Sequence, residues 1–213
     1  IAFCDQDDVW MPDKIQAAVK SIQEYETLVV AKNMDIAASD ACPILYCSAQ
    51  TLVDQDLQPI QGNIHKKNVR PGFGNALIEN ICTGCTAVIN KAMLHMMLLN
   101  HPNYTIMHDW WMYLVASCFG KVIYDENSYL LYRQHGNNVM GIETDLGHET
   151  VTRAKKFKSR KNNISRQAKA FGKCYKDQMS KENKRLTIQV AEYHGRLKYH
   201  FTLAFHKGVY RQR

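Results

Sequence analysis

Apolar and polar positions change their period several times along the chain. Ile1 to Cys4 is a short apolar run and reads as the end of a buried strand. After a charged stretch, Pro12 opens a helix, with Ile15, Ala18, Val19 and Ile22 at helical spacing. Ile44 to Ala49 reads as a second strand. Residues 62–74 form a polar loop carrying His65, Lys66, Lys67, Arg70 and Pro71. The segment 81–90, ICTGCTAVIN, has strand character, and KAMLHMMLLN (91–100) reads as a short helix whose Met93, Met96 and Met97 are core. HDWWMYLVASCFG (108–120) is the clearest helix: Asp109 can cap it and Gly120 can end it. KVIY and YLLYR read as short strands on either side of an Asp125-Glu126-Asn127 turn. Strands alternate with helices through residue 135, which predicts an α/β layer structure.

Beyond residue 150 the pattern becomes Lys/Arg-rich and helix-forming. Residues 1–150 hold 17 acidic against 9 basic side chains, and residues 151–213 hold 3 against 18, so the overall charge of +7 joins an acidic body to a basic tail. A division at 1–147 and 148–213 follows the charge switch. The tail is either a surface for an anionic partner or simply a solvated helical face. With 46% hydrophobic and 22% charged residues the composition is globular. No apolar run approaches the ~18 residues of a transmembrane helix. Seven cysteines, an odd number, do not resemble a secreted disulfide framework and fit a reducing cytosol. Cys82 and Cys85 form a CxxC, with Cys42 and Cys47 as loosely spaced zinc partners; small buried hydrophobes are the plainer reading.

Three places can carry chemistry. Asp5-Gln6-Asp7 follows a strand end, where open α/β sheets bind ligands. Two carboxylates at that spacing can converge on Mg²⁺ or Mn²⁺, which favour oxygen ligands. An acidic turn ahead of a helix explains them equally well. Asp109 sits at a helix start beside His108, Trp110 and Trp111. An ionised carboxylate there can accept a proton from a substrate hydroxyl, or can be an ordinary cap. The two tryptophans can stack on sugar rings or fill the core; adjacent helical positions diverge by about 100°, which predicts one of them facing inward. In YRQHGNN (132–138), neutral His135 can ligate a metal and Arg133 can bind phosphate oxygens, though both types are common on surface loops.

Together these stretches resemble the family 2 glycosyltransferases of the GT-A fold, and within it bacterial rhamnosyltransferase-type enzymes of surface polysaccharide synthesis. FCDQDDVWMPDKI (3–15), TGCTAVINKAM (83–93), HDWWMYLVASCFGKVIY (108–124) and LLYRQHGNNVMG (130–141) match that family's motifs in order and spacing over residues 1–141. The resemblance implies a GT-A-like mixed sheet flanked by helices, lacking the N-terminal nucleoside-binding βαβ region, with a basic helical tail. The chain is then a fragment of a longer enzyme, and weak donor binding or inactivity in isolation is expected. It further implies a metal site with Asp7 as direct ligand and Asp5 nearer the ribose, and His135 either completing the site or contacting the diphosphate. Asp5, Asp7 and Arg133 would face the donor, and Asp109 would be the general base.

The implied activity is metal-dependent, inverting transfer of a sugar, such as rhamnose, from a nucleoside diphosphate sugar to a glycan or lipid-linked glycan acceptor. The expected location is cytoplasmic, with peripheral contact at the inner membrane face through Lys155, Lys156, Lys158, Arg160 and Lys161. Two rivals from other classes stand beside it. One is a metal-dependent phosphoesterase that hydrolyses the nucleotide sugar. The other is a non-catalytic module whose basic tail holds nucleic acid, although no nucleic-acid motif is present.

Overall fold

The computed structural model describes residues 1–32, 42–60, 68–134 and 150–212, with side chains of the first C-terminal helix described from residue 162. The chain is a mixed α/β structure built on a four-stranded sheet. Its described elements are β1 (Val9–Trp10), α1 (Lys14–Lys32), β2 (Ile44–Val53), α2 (Phe73–Ala76), β3 (Val88–Ile89), α3 (Lys91–Leu99), α4 (His108–Phe119), β4 (Lys121–Arg133), α5 (Thr150–Tyr175), α6 (Lys181–Glu192) and α7 (Leu197–Ala204). The sheet order is β1-β4-β2-β3. β2 and β4 run parallel, and the two outer pairings are antiparallel.

Alternation along β2 explains the layers. Leu45 and Cys47 face a large core shared with α2, α3 and α4. Ile44 and Tyr46 point the other way, onto Ala18 and Ile22 of α1. A strand buried on both faces in this way reads as a continuous apolar run. α4 lies between the sheet and the C-terminal helices, so it is buried nearly all round from Asp109 to Ala116. Trp110 and Trp111 are therefore both inside, which corrects the expectation that one of the pair faces outward and removes them as sugar-stacking platforms. The Trp110 indole N–H donates to the carbonyl of Ala76 at 2.7 Å. Trp111 packs edge-on against Phe171 of α5, with ring centres 5.4 Å apart.

Three other expectations change. KVIY and YLLYR belong to one strand, β4. The register with β2 jumps from Ser48↔Asp125 to Ala49↔Ser128. Glu126 and Asn127 thus bulge out, and Asp125 Oδ1 accepts from the Asn127 backbone N–H at 2.9 Å. A bulge absorbs the polar turn sequence without ending the ladder. The 81–90 stretch is strand only at Val88–Ile89, because Gly84–Thr86 forms a 3₁₀ turn. Both the hydroxyl and the backbone N–H of Thr86 donate to Thr83 O, which tightens the chain there. Residues 1–4 are extended but contribute a single bridge, Ala2↔Val88.

The basic C-terminal segment packs into the same core as the α/β layers. Ile164, Ala168, Phe171 and Tyr175 of α5 and Leu186 and Val190 of α6 belong to it. The Tyr175 hydroxyl donates to Met96 O at 3.1 Å. The last residues return to α2: fully buried Asn75 donates to Tyr210 O at 2.7 Å and accepts from the Tyr113 hydroxyl at 2.6 Å. Among the described residues no helix is long and apolar enough to cross a membrane.

Gly120, which ends α4, has no room for a side chain. A Cβ there would lie 1.9 Å from Pro43 O, beside the first bonds of the β2–β4 pairing. Gly120→Ala must push backbone against backbone, and a loss of about 2–4 kcal/mol is expected in urea unfolding; an unchanged midpoint would refute this close approach.

Candidate functional site

The site is assembled where three segments meet the end of β4. The first is the acidic turn 5–8. β1 pairs antiparallel with β4 through Val9↔Leu131 and Trp10↔Leu130, which sets the turn beside Arg133. The Arg133 backbone N–H donates to Asp8 Oδ1 at 3.2 Å, and its Nε donates to Asp7 O at 3.0 Å. Its guanidinium also reaches Gln55 O, beyond the end of β2. Arg133 thus fastens the acidic turn to both parallel strands.

The second segment is the 3₁₀ turn. Its Cys85 joins Asp5 and Asp8 in a triple whose potential ligand atoms all lie within 4.8 Å of one another. Asp7, exposed, is not in that triple. Asp8 is half-buried, and its Oδ2 is inaccessible and without a hydrogen-bond partner. Burial pushes the Asp8 carboxyl above the usual carboxylate range, Asp5 and Asp7 add to this, and the Cys85 thiol and Arg133 N–H oppose it. Cys85 itself is pushed far up by burial and by Asp8, which favours the protonated thiol. Lys14, only 2% exposed, stands close by. Its Nζ lies 3.5 Å above the Trp10 ring and makes no hydrogen bond. Burial lowers its pKa, against the pull of Cys85, Cys4 and Asp8.

The third segment is the start of α4. Asp109 is 2% exposed. It is not the cap: Met107 holds that position without a side-chain bond, and Asp109 lies in the first turn. Its Oδ1 accepts from the Trp110 N–H at 2.6 Å. Burial raises its pKa, while Trp110, His108, the Gly84 N–H and the Asn80 side chain favour the ionised form. Gly84 packs closely here: a Cβ would lie 2.8 Å from His108 Nε2, whose ring would have to shift, and 3.7 Å from Asp109 Oδ2. His108 in turn lies against Phe3, with ring centres 5.8 Å apart.

Tyr132 stands near both acidic groups. Burial pushes its hydroxyl up to about 12, and the charges it senses are those of Cys85, Asp8, Asp5 and Asp109. The structure therefore brings Asp5, Asp8, Cys85, Lys14, Tyr132 and Asp109 to one region, with Arg133 bracing it. His135 lies outside the described residues, as do His65, Lys66 and Lys67. Asp8, Lys14 and Tyr132 were missed by sequence reasoning; the second Asp of Asp7-Asp8 and the Tyr preceding Arg133 were the available signals. Cys85 was noticed only as a half of the CxxC. Its partner Cys82 turns instead to Cys47, whose thiol shares a hydrogen bond with it. Two carboxylates and a thiol, one oxygen orphaned by burial, fit a divalent cation; the thiol favours Mn²⁺ or Zn²⁺ over Mg²⁺.

The buried Asp109 gives a pH dependence. Its folded pKa is raised, so ionisation weakens the fold; the cost is absent near the ordinary carboxylate value of about 4 and complete above the folded pKa. Asp109→Asn removes this term, while its lost hydrogen bonds are an offset independent of pH. The Tm of the variant relative to wild type should therefore be higher at pH 8 than at pH 4, by a few degrees; a constant difference would show that burial does not penalise the charge.

Comparison with known proteins comes to bear on this geometry. No protein-family model matches the chain, and no solved structure matches it significantly. A dTDP-rhamnosyl transferase of Shigella flexneri, RfbG, is 29% identical over 148 residues, which cover 66% of this chain and 45% of that protein. The chain thus spans less than half the length of that curated relative. At a coarse level this supports kinship with glycosyltransferases.

Proposed function

We propose that the chain is the metal- and acceptor-binding part of a GT-A-type glycosyltransferase. In this reading it moves a hexose, with rhamnose the first candidate, from a nucleoside diphosphate sugar to a hydroxyl of a glycan or lipid-linked glycan. The observation that carries it is the Gly84–Thr86 turn, whose Cys85 joins Asp5 and Asp8 and whose Gly84 lies against Asp109. A diphosphate anchor and a proton acceptor held close together are what a single displacement at an anomeric carbon needs.

Asp5 and Asp8, with Cys85, would hold the cation, joined by Asp7 and His135 as the family resemblance implies. A bound Mg²⁺ or Mn²⁺ supplies Lewis-acid stabilisation of the departing diphosphate. Asp109 Oδ2 takes the acceptor's hydroxyl proton, the freed oxygen bonds to the anomeric carbon, and the bond to the diphosphate breaks with its electron pair leaving on phosphate. The configuration inverts. The elevated pKa of Asp109 makes it a stronger base than an ordinary carboxylate.

In the full-length enzyme, Asp109→Asn should retain donor binding while transfer to acceptor falls by 10²-fold or more, about the contribution of a general base. Near-normal turnover would reduce Asp109 to a structural acid. Free sugar in place of glycosylated acceptor would identify a hydrolase instead.

The membrane-facing part of the reading rests on α7. Leu197, Phe201 and Phe205 recur every four residues and are 80%, 68% and 84% exposed. Lys198, Lys207 and Arg211 flank them, and residues 193–213 contain no acid. An apolar stripe set among basic residues matches an anionic lipid surface. The basic residues 155–161 lie on α5, in the part whose side chains are not described. Phosphatidylglycerol vesicles should co-sediment the chain, and Phe201→Ser with Phe205→Ser should weaken this by roughly tenfold. Equal binding to neutral phosphatidylcholine vesicles, or no effect of the double variant, would refute it; self-association abolished by the same changes would assign the stripe to a second copy.

A further inference from the structure

Lys14 is the unusual group of the site. It opens α1, where its backbone N–H donates to Met11 O at 3.1 Å, and its side chain turns inward across the face of Trp10. A buried ammonium normally makes hydrogen bonds to several acceptors. Lys14 Nζ makes none, and Asp8 Oδ2, buried in the same site, has no partner either. The two orphans carry opposite charge, yet they do not bond to each other. Asp8 and Cys85, two of the three members of the acid–thiol triple, are among the charges that act on Lys14. The site therefore contains a buried acceptor and a buried donor, each without a hydrogen-bond partner.

We propose that Lys14 is an oxyanion-binding residue that couples anion and cation loading: its ammonium takes a phosphate-type oxygen, and without that anion it repels a cation from Asp5, Asp8 and Cys85. This rests on the reading of the triple as a cation site. Two positive charges in one half-buried site repel strongly at the low effective dielectric there. An oxyanion between them contacts both and removes the repulsion. Linkage then requires that each ligand tighten the other by the same factor. A donor diphosphate would satisfy this requirement, whereas free metal alone would hold poorly, so the site would stay open until anion and cation arrive together.

The coupling is measurable without any sugar transfer. Free Mn²⁺ is followed by its EPR signal during titration into the chain, with and without millimolar inorganic phosphate. In wild type, phosphate should tighten Mn²⁺ binding at least threefold. Lys14→Met should bind Mn²⁺ alone at least tenfold more tightly and lose the effect of phosphate, and Lys14→Arg, which keeps the charge, should behave as wild type. No tightening by phosphate in wild type overturns the proposal whether or not Lys14→Met folds. Equal or weaker Mn²⁺ binding by folded Lys14→Met also overturns it. If the coupling holds but the full-length enzyme makes no glycosylated product, the transferase reading fails and Lys14's role stands; if the coupling is absent while Asp109→Asn abolishes transfer, only Lys14's role falls.

Discussion

The parallel pairing of β2 with β4 is the constraint on which the rest depends. It runs from Ile44↔Lys121 to Val53↔Arg133 and joins segments about eighty residues apart. It brings the end of β4 level with the end of β2, so one arginine can reach both the turn after β2 and the acidic turn before β1. β1 takes the free side of β4, and β3 takes the free side of β2. The acidic turn and the cysteine turn are thereby delivered from opposite sides of the central pair. Gly120 permits the pairing to begin, because the chain passes against Pro43 with no space for a side chain.

Most buried polar groups of the scaffold are tied down, although Gln50 Oε1 and Trp111 Nε1 are buried without hydrogen-bond partners. Asn90 caps α3 by accepting from Met93 N, also accepts from Ile44 N, and donates to Glu26 and Cys42 O. Gln167 of α5 accepts from Ile106 N at 2.8 Å, tying the helical segment to the loop before α4. Near the acidic turn Asp8 Oδ2 and Lys14 Nζ are likewise buried without hydrogen-bond partners. Each such group costs on the order of 1–3 kcal/mol, more when charged. Asp8 and Lys14 are the two of these four groups that can carry charge, and they lie where a charged ligand would enter.

Much of the layer structure was legible in the sequence, and the reasons for the misses are local. Helical spacing at Ile15, Ala18 and Ile22 and the stop at Gly120 reported α1 and α4 well, since both depend on short-range pattern. β4 was split because Asp125-Glu126-Asn127 has turn chemistry, and only the partner strand reveals a bulge. The tryptophans were misjudged because α4 is covered on two sides, the second by Phe171 and Tyr175 from a segment whose charge conceals its apolar face. Within the site, attention to the i, i+2 spacing of Asp5 and Asp7 obscured Asp8, which the turn sets beside Asp5. Cys85 and Tyr132 have no spacing relation to those acids; they arrive through tertiary pairing alone.

The central claim is that the acidic turn and the start of α4 meet across the Gly84–Thr86 turn. Paramagnetic broadening by Mn²⁺ in the ¹⁵N-labelled chain, with phosphate present, tests it most directly. The account predicts that amide signals of residues 5–8, Cys85, Asp109, Trp110 and Tyr132 fade first, while those of α6 persist. Loss confined to residues 5–8, with Asp109 and Trp110 as sharp as α6, would contradict it.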